Sequence, residues 1–357
     1  MGGARRCRLR REPGRHSRRA ADGISVFPLL TAVMRNFALI IVFALVAAVS
    51  TAIFPLVYWL PKALECRTND DPSAFLTYCN GADYGDYEHG AYYWNLEPEA
   101  TKALRSARIL FLGNSRLQFG FSTETTRHYF QKKNVPYYLA GFTYFENMVF
   151  IQQLIDQYDL NPDVIVINAD GTFFSEQLLS TPAAMFISKR NSLYWRTLYG
   201  YLLKGAFTRI ARPICEIFPF ACSQKLQTLW RRRETGDWLW QGTFAELNNA
   251  IPIDPTTRPP APDEAAMREF EKAADSFLRT LRVRRQCIIL TAVPNSVLTD
   301  EPIADRIGKR FQLPVIVPHL DALATLDESH LNAASAERWS EAFLRAATPT
   351  LDRCLGK

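Results

Sequence analysis

The sequence predicts an α/β domain, a parallel sheet of about five strands in a three-layer α/β/α arrangement, preceded by one transmembrane helix. Three observations predict it. Short apolar runs ending in Gly or Asn alternate with amphipathic segments, as strands buried on both faces do. An uncharged apolar span of 24 residues, Phe37–Leu60, exceeds the roughly 20 that cross a bilayer. The chain has 357 residues, of which 48% are hydrophobic, enough for one sizeable core with an insertion.

Residues 1–36 read as a basic cytoplasmic tail, with arginines dense between Arg5 and Arg19. Met34 begins a neater anchor and is an alternative start. Residues 37–60 are the span, too long for a cleaved signal whose apolar region runs to about 7–15 residues. Tyr58 and Trp59 sit at its far end, where interfacial aromatics belong. Arginines precede the span and acids follow it, so the N-terminus is expected in the cytoplasm and the rest outside an inner membrane. The net charge of +6 therefore points to a membrane rather than to nucleic acid.

Residues 61–106 read as a linker or surface elaboration, and 107–357 as the main domain. Strands are expected at Arg108–Gly113, Val135–Ala140, Asp163–Asn168, Cys287–Thr291 and Leu313–Val317. Helices are expected at Ser122–Gln131, Phe145–Tyr158, Asp263–Arg282 and Asn332–Ala347, with Asp263 as an N-cap. The alternation breaks across an insertion, 171–262. Between Ser188 and Arg233 it carries ten Lys/Arg and one acid, Glu216, interleaved with aromatics. Helical hairpins with aromatics inside and a solvated basic face are the structural expectation. Such a surface also suits anionic headgroups or an anionic polysaccharide; single-stranded nucleic acid is disfavoured by the external location. Six cysteines follow the anchor, and proximity suggests the pairs Cys66–Cys79, Cys215–Cys222 and Cys287–Cys354 in an oxidising compartment.

In an open parallel sheet, functional residues gather at the carboxyl ends of strands. The first strand ends in Gly113-Asn114-Ser115, the third in Asn168-Ala169-Asp170. Asp327-Glu328-Ser329-His330-Leu331-Asn332 precedes the last helix. A serine hydroxyl needs a base to become a nucleophile; His330 is the base expected, with Asp327 holding its tautomer. His89, His128 and His319 lack acidic or cysteine partners at metal spacing, and there is no CxxC pair. No dinucleotide or Walker-type loop and no GxSxG elbow occurs either, so neither metal nor cofactor is expected.

Gly113-Asn114-Ser115 together with Asp327-Glu-Ser-His330-Leu-Asn332 resembles the first and last sequence blocks of the SGNH (GDSL-like) hydrolases, over Ala107–Ala347. The resemblance implies a flavodoxin-like sheet, Ser115 as nucleophile, His330 as base and Asp327 as its orienter. It implies an oxyanion hole built from Gly141 and Asn168, with Asp170 and Asn147 as rivals to Asn168. The family's third block is usually Gly-x-Asn-Asp; here Asn168-Ala169-Asp170 stands out of register with it. An esterase or O-acyltransferase acting through an acyl-Ser115 is implied. By analogy with anchored members of the family, its partner is an acylated small molecule or an envelope polysaccharide. The alternative is a catalytically silent scaffold or binding module with partners in an envelope assembly.

Overall fold

The computed structural model describes residues 34–51, 53, 71, 73–79, 85–142, 146–176, 185–186, 190–222, 228–241, 249–254 and 260–356. Contacts divide the chain into two units, Met1–Leu56 and Val57–Lys357. In the first, helix α1 (Met34–Thr51) is long and apolar enough to cross a membrane. Its side chains are exposed along its whole described length, a surface that water would penalise and lipid would not. The remainder of the predicted span lies outside the described residues.

The second unit is mixed α/β. Its elements are β1 (Phe75–Cys79), α2 (Gly85–Tyr93), α3 (Pro98–Ser106), β2 (Ile109–Gly113), α4 (Ser115–Phe121), α5 (Glu124–Lys133), β3 (Tyr137–Gly141), α6 (Met148–Tyr158) and β4 (Val164–Asn168). Then come α7 (Arg190–Ile217), β5 (Thr228–Arg232), β6 (Trp238–Gln241), β7 (Ile251–Pro252), α8 (Glu264–Thr280), β8 (Ile288–Thr291), α9 (Glu301–Phe311), β9 (Ala324–Thr325) and α10 (Ala333–Leu355).

The central sheet is parallel, in the order β3-β2-β4-β8. Every residue of these strands is buried, which is why they read as continuous apolar runs. Their side chains alternate between two cores. Leu110, Leu112, Ile165, Ile167 and Leu290 meet Phe150, Phe277 and Ile303 on one face. Ile109, Phe111, Val164, Val166 and Ile289 meet Phe121, Phe130, Trp339 and Phe343 on the other. The chain runs from β2 to β3 on one side, then returns past β2 to β4. This reversal opens a crevice at the carboxyl ends of β2 and β4, where ligands of open α/β sheets bind.

The fifth predicted strand shrinks to one bridge, Leu290↔Val315. Leu290 N–H donates to Pro314 O and Ile316 N–H to Leu290 O, both at 2.9 Å. Pro314 and Pro318 have no N–H to donate, so the ladder stops there. The predicted helices form within a few residues, and Asp263 caps α8 by accepting from Ala266 N–H at 2.8 Å. The last helix is longer than expected and ends at Leu355.

Two expectations are corrected. Part of the expected linker folds into the core: α2 and α3 bury Ala91, Tyr92, Ala100 and Leu104. Strand β1 joins the insertion in an antiparallel sheet, β1-β5-β6, with Thr77 opposite Trp230. Among its described residues the insertion therefore holds one long helix, a β-hairpin and the short strand β7 rather than helical hairpins. Nor are all its cations solvated. Arg231 is fully buried, 4.8 Å from the Phe142 ring, and donates to Leu139 O at 2.6 Å. With Leu139 N–H bonded to Thr235 O, this closes the outer edge of β3. Disulfides join Cys215 to Cys222 and Cys287 to Cys354. Of the expected Cys66–Cys79 pair, Cys79 ends β1 and Cys66 lies outside the described residues.

Candidate functional site

The turn that carries Ser115 is built from small and capping residues. A Cβ on Gly113 would stand 2.8 Å from Leu117 Cβ, so only glycine lets a helix start directly after β2. Asn114 is the N-cap of α4, its Oδ1 accepting from Arg116 N–H at 2.9 Å. Ser115 is the first helical residue. Among the described residues no acceptor lies against its N–H, one of the orphan donors of a helix start.

The acid and base come from one short loop. Leu326 N–H donates to His330 O at 2.8 Å, and Thr325 bridges Leu331, closing residues 326–330 into a tight reversal. Glu328 makes the reversal at φ +67°. Asp327 Oδ1 accepts from the N–H groups of Ser329 (3.1 Å) and His330 (2.9 Å), an Asx turn. Its Oδ2 lies 2.8 Å from His330 Nδ1. His330 Nε2 lies 2.9 Å from Ser115 Oγ. The imidazole rests on Phe119, ring centroids 4.3 Å apart. Partial burial pushes the Asp327 carboxyl up, but hydrogen bonds and the charge interaction with His330 outweigh it and hold the carboxyl below its ordinary value. The three residues expected to act together thus form one continuous relay.

Two other expected residues sit close by. Gly141 pairs with Gly113 in the ladder, and a Cβ there would be 2.7 Å from Asn114 O, so the glycine lets β3 approach the serine turn. Its carbonyl accepts from Gln118 Nε2 at 2.8 Å. Asn168 is fully buried at the end of β4, with partners on both atoms of its amide. Its Nδ2 donates to Asp170 at 3.1 Å, and its Oδ1 accepts from Val293 N–H at 2.8 Å. Asn147 caps α6, accepting from Val149 N–H at 3.0 Å.

Asp170 is a buried anchor for the serine turn. It accepts from Asn114 Nδ2 (2.6 Å), Arg116 Nη1 (3.3 Å), Thr172 Oγ1 (2.7 Å) and Phe173 N–H (2.9 Å). Arg116 also reaches across to the other loop, its Nε donating to Ser329 Oγ at 3.2 Å. The guanidinium thus ties the turn that carries Ser115 to the loop that carries His330. The sequence reading missed it. The signal available was an arginine directly after the serine, with an acid at the end of β4, but nothing local says that they meet.

Asp300 stands behind this group, accepting from Gly171 N–H and Asn295 Nδ2, each at 3.1 Å. Burial, then the charge of Asp170, push its carboxyl up to about 6; Arg116 and the two donors pull the other way. Asp300 lines a cavity of about 290 Å³ with Asn295, Val293, His319 and Leu323. The relay residues lie outside this cavity, so it is a neighbour of the site rather than the site itself.

His89 and His319, expected in packing or surface roles, each meet an acid that is not at metal-ligand spacing in the sequence. His89 is buried between the rings of Phe142 and Phe150 and paired with Glu146; exposed His319 lies 3.2 Å from Glu301. These partners are remote in sequence or on another element, so spacing could not show them. Among the described residues, no group of three or more His, Cys, Asp or Glu is placed to hold a metal ion.

No protein-family model, curated protein or solved structure matches the chain.

Proposed function

We propose that the protein is a membrane-anchored, extracytoplasmic serine acyl-transfer enzyme of the SGNH type, an esterase or O-acyltransferase. The observation that carries this reading is the relay itself, Asp327 to His330 at 2.8 Å and His330 to Ser115 at 2.9 Å. The order of the four parallel strands supports the SGNH layout, with Val315 at the position of a fifth. The membrane helix and two disulfides support an exported domain.

In this reading His330 Nε2 takes the Ser115 proton as Oγ attacks an ester carbonyl. Asp327 keeps Nδ1 protonated and stabilises the imidazolium. The free Ser115 N–H, with Gly141 beside it, supplies donors to the tetrahedral oxyanion. His330 then returns the proton to the leaving alkoxide, and the acyl group stays on Ser115. Water as acceptor completes an esterase cycle; a sugar hydroxyl completes an O-acyl transfer. An acylated envelope glycan is the substrate class that fits an anchored, exported enzyme.

The test is labelling of the detergent-solubilised chain with a fluorophosphonate, which reacts only with an activated serine. Wild type is expected to label, and Ser115→Ala and His330→Ala are expected not to. Absence of labelling in a folded wild type would sink the enzyme reading. The enclosed Asn168 would then favour a silent scaffold in an envelope assembly.

A further inference from the structure

Helix α7 presents an apolar stripe on the wrong side for a globular protein. Leu193 and Tyr201 pack against the core and Thr197 is buried. Trp195, Leu202, Ile210 and Ile217 fall within ~80° of arc roughly opposite that face. All four are exposed, Trp195 by 65% and Ile217 by 67%. The stripe continues past the helix end. The Cys215–Cys222 disulfide closes a short loop that holds Phe218 and Phe220 with ring centroids 5.8 Å apart, and Phe220 is 87% exposed. Scattered exposed apolar residues need no explanation, but a contiguous stripe of this kind marks a contact surface.

The net charge of the same helix identifies the contact. From Arg190 to Ile217 the helix carries five cations, Arg190, Arg196, Lys204, Arg209 and Arg212, against the single acid Glu216. These cations rule out a spanning helix. A tryptophan and aliphatic stripe on a cationic helix is the composition of one lying in the plane of a bilayer surface. Anionic headgroups complement the cations, each contributing about 1 kcal/mol near such a surface. A protein partner would find apolar area here too, but not a reason for a five-to-one excess of positive charge.

We infer that α7 and the disulfide-closed loop after it form a membrane foot, which seats the second unit on an anionic lipid surface. The inference rests on the anchor part of the reading above and is independent of the Ser115 chemistry. The foot takes phospholipid headgroups of negative charge at exposed Arg209, and the outer acyl region at Trp195, Leu202, Ile217 and Phe220.

The full chain is reconstituted into phosphatidylcholine vesicles with or without phosphatidylglycerol. Photoreactive benzoylphenylalanine replaces Phe220 or Trp195 and, as a control, Arg345. Arg345 is exposed on α10, which packs on the opposite face of the sheet. Because Phe220 and Trp195 are exposed, their replacement leaves the fold intact. Flotation of the vesicles is read first, then lipid adducts by mass. The expected result is flotation of every variant, lipid adducts at positions 220 and 195 but not at 345, and a several-fold loss of adduct when phosphatidylglycerol is left out. Flotation with no adduct above the control overturns the foot and leaves the anchor standing. Failure to float overturns the anchor and the foot with it. Adducts to a second copy of the chain overturn the lipid assignment and make the stripe a self-association surface.

Discussion

At the scale of single residues, the site depends on which partner each polar group keeps. Asp327 gives one oxygen to two backbone donors and the other to His330. Asp327→Asn keeps the turn but presents an amide to Nδ1, which favours the wrong imidazole tautomer. Activity is expected to drop roughly 10⁴-fold with the loop geometry unchanged, read as kcat on a chromogenic ester. Arg116 acts through others. Arg116→Met removes both the Ser329 bond and the Asp170 pair, leaving the loop carrying His330 held to α4 by the relay and the Phe119 ring contact. We predict a fall in kcat of up to about 100-fold with KM little changed, and a matching fall in the fluorophosphonate labelling rate. Equal loss in KM alone would make Arg116 a substrate contact instead.

At the scale of elements, the last helix of the domain, α10, is fastened twice. Asn332 caps its start by accepting from Ser335 N–H at 2.9 Å, two residues after His330. Near its end, Cys354 is bonded to Cys287 at the start of β8, across a sequence separation of 67. A cross-link over a loop of that length restrains the unfolded chain by about 4 kcal/mol in the chain-entropy account. The pair Cys287→Ala, Cys354→Ala is expected to lower the urea unfolding midpoint accordingly. The Ser115–His330 geometry should persist below that midpoint, because α10 still packs Trp339 and Phe343 on the sheet. An unchanged midpoint would mean that the bond contributes nothing to the domain's stability.

At the scale of the whole molecule, stability and pH are linked through the buried carboxylates. The Asp300 carboxyl is raised from 3.8 to about 6. Between those values, as pH rises, an unfolded chain releases a proton that the folded chain still holds, so folding becomes less favourable across the window. The loss is complete above about pH 6 and absent below about pH 4. Asp300→Asn keeps an acceptor for Gly171 N–H without the charge. Its Tm is expected to exceed that of wild type clearly near pH 7.5 and little or not at all near pH 4, as measured by calorimetry. A gain that did not change with pH would assign the effect to packing rather than to ionisation.

Much of this molecule is legible in its residues taken in order. Buried parallel strands must be apolar throughout, so Ile109–Gly113, Val164–Asn168 and Ile288–Thr291 stand out without any knowledge of their neighbours. The Asp327–His330 pair is three residues apart and closes through an Asx turn, a local interaction that spacing can express. Gly113 announces the strand-to-helix turn because no other residue fits against Leu117. What spacing cannot express is the choice of partner across the fold. Asn168 stands at a strand end, yet the N–H that its carbonyl accepts is that of Val293, 125 residues on. Arg231 belonged to a solvated basic run, yet the aromatic pocket of Tyr92 and Phe142 and the edge of β3 draw it inside. Leu313–Val317 had the composition of a strand, but two prolines leave it a single bridge. The order of residues determined the strands, the apolar N-terminal helix and the local pairing of Asp327 with His330. Tertiary packing alone decided that Ser115 meets His330, 215 residues away, because only the paired sheet brings the end of β2 against the loop before α10.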